Sequence, residues 1–80
     1  MEKKTLFTVS IYTENNVGLL NRISAIFLKR HINIESFTTS ECEIENVFRF
    51  IILVEMTHSG INKVVKQIEK QVDVIKAFYH

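Results

Sequence analysis

Phe7-Thr8-Val9-Ser10-Ile11-Tyr12, followed after Thr13 by Glu14-Asn15-Asn16-Val17-Gly18-Leu19-Leu20, decides how this chain begins to fold. Phe7, Val9 and Ile11 alternate with Thr8, Ser10 and Tyr12, the period of two that buries one face of a strand, here over residues 5–13. The segment with Asn and Gly then turns the chain into a helix over residues 17–29. Leu19, Leu20, Ile23, Ile26 and Phe27 recur along one side of it, with Asn21, Arg22, Ser24 and Lys29 mostly opposite. A strand that hands over to a helix in this way sets backbone N–H groups at the helix's positive end, a place suited to a carboxylate. Lys29, Arg30 and His31 suit the negative end.

Working outward, a second strand is expected over residues 33–42, a turn at Glu45-Asn46, and a third strand over residues 47–56. The third strand is apolar on both faces: Phe48, Phe50, Ile52 and Val54 on one, Val47, Ile51 and Leu53 on the other. That pattern predicts a central position in the sheet. Ile61, Val64, Val65, Ile68 and Val72 then mark a second helix with Ser59 as its N-cap, and residues 73–79 form a last strand. The order βαββαβ is that of an α+β, ferredoxin-like sandwich: a four-stranded antiparallel sheet with two helices on one face. Ile51 and Leu53, with Phe37, Val74 and Phe78, are left for the outer face of the sheet. Apolar surface of that kind in a small domain marks a partner.

Eighty residues make one small domain. Such a chain buries only roughly 60–65% of its unfolded surface, so association with other chains is expected. With a formal charge of +1 and interleaved acids and bases, nothing favours a polyanion as the main partner. No apolar run approaches a membrane span, and Met1-Glu2-Lys3-Lys4 lacks a signal-peptide core. The single cysteine, Cys42, fits a reducing compartment, so a cytoplasmic location is expected. The chain has no proline and no linker-like tract, and it stops at Ala77-Phe78-Tyr79-His80 without a polar tail, as expected of a domain within a longer protein.

Catalysis is poorly supported: His31, His58 and His80 are scattered, with no nucleophile elbow and no paired acids at useful spacing. No metal is expected. The loop after the first strand lacks the cysteine pair of a metal carrier on this fold. Asn46-Val47-Phe48-Arg49-Phe50-Ile51 superficially suits an RNA-recognition motif, but no Gly separates its basic residue from an aromatic, and the charge gives no phosphate-binding surplus. Phe48 and Phe50 are therefore read as core residues. What remains is binding of a small zwitterion. N–H groups around Gly18, Leu19 and Leu20 suit a carboxylate, the amide oxygen of Asn15 or Asn33 suits an ammonium group, and Val17, Leu20 and Ile34 suit an apolar wall. The same residues also have purely structural readings: Asn16 as a helix N-cap, Asn15 as a turn residue, Asn33 as the residue that leaves the first helix.

Three segments carry a resemblance to a known family. Glu14-Asn15-Asn16-Val17-Gly18-Leu19-Leu20 is similar to the ENxPGxL segment of ACT domains. Asn33-Ile34-Glu35-Ser36-Phe37-Thr38 is similar to NIESLTV, and the segment from Gln67 to Lys76 to QLxKLxDVxKV, both of the small regulatory subunit of acetolactate synthase (acetohydroxyacid synthase). The resemblance implies a single ACT domain over residues 1–80, possible as the N-terminal domain of a longer subunit. It also implies a non-catalytic role beside a thiamine-diphosphate-dependent large subunit, which it activates and subjects to feedback inhibition by valine or another branched-chain amino acid. The effector would lie at a homodimer interface, at Asn15, Asn16, Val17, Gly18, Leu19, Leu20, Asn33 and Ile34. Phe37, Ile51 and Leu53 would face the partner, and no cofactor would bind. The alternative is an interaction domain of the same fold without a ligand. Val17 departs from the family's proline, which leaves φ at the helix start less restricted.

Overall fold

The alternation that opens the chain is realised as strand β1 (Thr5–Glu14), and the apolar stripe after it as helix α1 (Val17–Lys29), in a computed structural model that describes residues 3–14, 17–44 and 46–80. Val17 and Glu41 are described through their backbone alone. Strand β2 (Ile34–Glu41), strand β3 (Val47–Met56), helix α2 (His58–Glu69) and strand β4 (Val74–Tyr79) complete the βαββαβ order. The sheet runs β2-β3-β1-β4, and its neighbours are antiparallel. β3 is central, as its two apolar faces require. Val9 lies opposite Ile52 and Ile11 opposite Phe50, so one face of the β1–β3 pair is continuously apolar. Leu19, Ile23, Ile26 and Phe27 of α1 and Ile61, Val64, Val65 and Ile68 of α2 cover that face and close the core. Phe48 shares this side but is only half-buried, at the end of the strand pair opposite Thr13.

Two one-residue irregularities correct the sequence reading of the outer face. Ile34 pairs with Val54 but Ser36 with Leu53, so Glu35 is an extra residue and Phe37 comes to lie opposite buried Ile52. Unbroken alternation would have set Phe37 opposite Ile51, on the outer face. Its ring instead packs on the helix side, 5.7 Å from that of Phe50. Likewise Lys76 pairs with Tyr12 but Val74 with Thr13, making Ile75 the extra residue and turning Val74 toward the core. A shift of one residue moves every following side chain to the opposite face. Ile51, Leu53 and Phe78 do occupy the outer face, opposite Ser10, Thr8 and Ser10 respectively.

The helix ends also differ from expectation. α2 is capped by Thr57 and not Ser59: Thr57 is extended, with φ −76° and ψ 156°, and its hydroxyl accepts the Gly60 N–H at 3.1 Å. A Cβ on Gly60 would stand 2.9 Å from that hydroxyl, so glycine is what lets the cap close. Thr57→Ala is expected to lower stability by about 1 kcal/mol. Urea denaturation checks this; an unchanged midpoint would mean the cap contributes nothing. Because α2 stops at Glu69, Val72 falls in the following turn and is 89% exposed, outside the helix stripe. Leu20, placed on the buried face of α1 by spacing, is 39% exposed.

Candidate functional site

α1 ends in a left-handed cap at His31, with φ 57°. The Ile32 N–H donates to the Phe27 carbonyl and the His31 N–H to the Leu28 carbonyl, each at 3.0 Å. This pattern uses a residue with positive φ to satisfy the last carbonyls of a helix. His31 therefore does the structural work of leaving α1, and Asn33, two residues on, is exposed. Its amide Nδ2 donates to Glu35 Oε1 at 3.4 Å, which leaves its Oδ1 as the acceptor for an incoming donor. Glu35 is the extra residue of β2, so the irregularity that turns Phe37 inward also sets this carboxylate beside Asn33.

Asn33 lies on the rim of a cleft of about 460 Å³ that Lys4, Arg30, Glu35, Glu55 and Thr57 also line. Arg30 is held by Gln67 Oε1, at 3.2 Å from Nε and 3.0 Å from Nη2. The lining mixes both signs of charge, as a zwitterion requires. Sequence reasoning passed over Lys4, Arg30, Glu35 and Glu55, since nothing in the linear order brings the start of β1 to the end of β3. The antiparallel register of Thr5 with Met56 does so.

The second half of the expected site is at the other end of α1. Gly18 is exposed in the first turn, Leu19 is wholly buried and so belongs to the core rather than to an open site, and Leu20 is partly open. Ile34 is half-buried and packs against the core opposite Val54. Asn15 and Asn16 lie outside the described residues, and Val17 opens α1. A helix of 13 residues is about 20 Å long, so one chain does not bring Gly18 and Asn33 together.

His58 packs against aromatic rings: its ring lies 6.0 Å from that of Phe7 and 5.9 Å from that of Tyr79. The Tyr79 hydroxyl donates to Asn62 Oδ1 at 2.8 Å. Among the described residues no three His, Cys, Asp or Glu side chains gather as a metal site would need, and no helix is long and apolar enough to cross a membrane.

Comparison with known proteins bears on the same segments. The chain matches the family described as AHAS small subunit-like ACT domain over residues 9–76. It is 38% identical to the acetolactate synthase small subunit of Bacillus subtilis, over 91% of this chain and 42% of that protein. It is 35% identical to a probable acetolactate synthase small subunit of Archaeoglobus fulgidus, over 86% of this chain and 43% of that protein. The chain thus spans less than half the length of these relatives. Among solved structures, the acetolactate synthase small subunit of Thermotoga maritima superposes with a TM-score of 0.84 at 29% identity, over 94% of this chain and 47% of that one. The ACT domain of the GTP pyrophosphokinase of Chlorobium tepidum, at 15% identity and a TM-score of 0.80, shares the fold.

Proposed function

Because the chain belongs to the AHAS small subunit-like ACT domain family, we propose that it is the amino-acid-sensing unit of an acetolactate synthase small subunit. It pairs with a second copy, holds a branched-chain amino acid at the junction, and transmits that occupancy to the catalytic large subunit in branched-chain amino acid biosynthesis. The regulator and its enzyme are cytoplasmic in this reading, in keeping with the single cysteine.

The observation that carries the proposal is the separation of Gly18 from Asn33 by the length of α1. One domain offers a carboxylate-binding helix start at one end and an ammonium acceptor at the other. β2 is an edge strand, and an antiparallel pairing of two β2 strands about a twofold axis reverses the second copy. Its Asn33 end then comes to the end that carries Gly18. α1 supports the same contact: Leu20, half-buried Ser24 and Leu28, the last 69% exposed, recur every four residues along its open side. Valine is the preferred effector, since a compact β-branched side chain suits walls made by Leu20 and Ile34. One methylene more or less changes binding by only about 1–3 kcal/mol, so isoleucine and leucine should bind as well, less tightly.

Calorimetric titration with valine, beside sedimentation of the same samples, tests this. The wild type is expected to be a dimer that binds valine, and Asn33→Ala to remain a dimer but bind about 1.5–3 kcal/mol more weakly, the loss typical of a hydrogen bond to a charged group. Equal affinities would leave Asn33 a shaping role only. A mass that stays monomeric at all concentrations would remove the two-copy site, and no heat with the wild type would leave an interaction domain without a ligand.

A further inference from the structure

The outer face of the sheet is uncovered by either helix, and its side chains form ordered rows. One row runs Thr38–Ile51–Ser10–Phe78 and the next Ser40–Arg49–Tyr12–Lys76, each from β2 across β3 and β1 to β4. Leu53, two residues beyond Ile51, extends the aliphatic part along β3. Ser10 is only 7% exposed although nothing from the helices reaches this side. Its neighbours on the face close over it. The Tyr12 and Phe78 rings are stacked, 6.2 Å between centroids and 24° between planes, and Lys76 Nζ stands 5.1 Å from the centre of the Phe78 ring.

Within this face Arg49 Nε is buried and has no hydrogen-bond partner, the single side-chain atom so placed among the described residues. Buried donors are almost always paired, so an unpaired one leaves a hydrogen bond to be made by water or by a partner. The acids of the face, Glu14 and Glu55, stand at its two ends, and the ion pair among the described residues is elsewhere, between Arg22 and Asp73. A guanidinium takes a carboxylate in a two-pronged geometry, and Lys76 in the same row adds a second positive charge.

We propose that the outer face docks an apolar segment of the catalytic subunit whose carboxylate side chain seats on Arg49, with Ile51, Leu53 and Phe78 receiving its apolar side chains. This inference rests on the regulatory reading above and adds to it the surface and the chemistry of the contact. An isolated apolar patch would accept any greasy partner. A patch with a buried, unpaired cationic donor selects one that brings an acid.

The test uses the full-length small subunit and its purified catalytic subunit, with association measured by biolayer interferometry at low and high salt and valine binding measured on the same variants. Arg49→Glu and Leu53→Glu are each expected to weaken association at least 30-fold while valine affinity stays within twofold of wild type. Arg49→Met removes the unpaired donor but keeps the apolar stem. It should fold at least as stably as wild type by thermal denaturation, bind the catalytic subunit at least tenfold more weakly, and lose most of the salt dependence. Wild-type association by all three variants would overturn the docking surface, as would single-stranded RNA competing for the face. Failure of the wild type itself to bind the catalytic subunit would overturn the regulatory reading, and this surface with it.

Discussion

Gly18→Asp is expected to weaken valine binding sharply while the protein stays folded and dimeric. Gly18 is exposed in the first turn of α1, where the proposed site receives the effector's carboxylate. A second carboxylate about 4 Å away repels it by roughly 1 kcal/mol in bulk water and about 4 kcal/mol at the effective dielectric of a protein surface. Between these limits the loss in affinity is about fivefold to a thousandfold, toward the upper end where the second copy excludes water. The added side chain also fills the approach that glycine leaves open. Stability should move the other way, because an acid in the first turn complements the helix's positive end by about 0.3–1 kcal/mol and glycine is a poor helix former. Weakened binding together with a thermal midpoint at or above that of wild type is therefore the signature. Calorimetry and a thermal melt on one sample decide it. Undiminished affinity would place the carboxylate somewhere other than the start of α1.

The largest effect on stability is expected from Phe27→Ala. Phe27 is wholly buried, the largest side chain in that condition, and it lies on α1 where the helix covers the β1–β3 face. Truncating a buried phenylalanine costs about 3–5 kcal/mol through lost transfer energy and the cavity left behind. A domain of this length has roughly 4–12 kcal/mol in total, so the variant should be near its unfolding threshold at 37 °C. Urea denaturation should show a much lower midpoint with a similar slope. Saturating valine should recover part of the loss, because a ligand of the folded dimer stabilises it by mass action. A loss under 1 kcal/mol would show that neighbouring side chains collapse into the space, and that α1 is held chiefly by other contacts.

The periodicities of the chain settle much of this molecule before any tertiary contact forms. Phe7, Val9 and Ile11 can be buried together only in a strand, and Leu19, Ile23, Ile26 and Phe27 only in a helix, since each set shares a side at one period alone. β3 had to be central because Ile51 and Leu53 are as apolar as Ile52 and Val54. Three short segments, residues 14–20, 33–38 and 67–76, carried the likeness to ACT domains. Three matters were decided only by the tertiary structure. The extra residues Glu35 and Ile75 reverse the facing of Phe37 and Val74, and a slip of one residue leaves no mark on composition or local pattern. His31, not Asn33, takes the left-handed cap of α1, because the choice depends on which N–H groups reach the Phe27 and Leu28 carbonyls. The sheet order leaves β2 as an edge and sets Arg49 between Tyr12 and Ser40 with its Nε unpaired. Pairing across strands joins residues far apart in sequence, and no local rule contains that information.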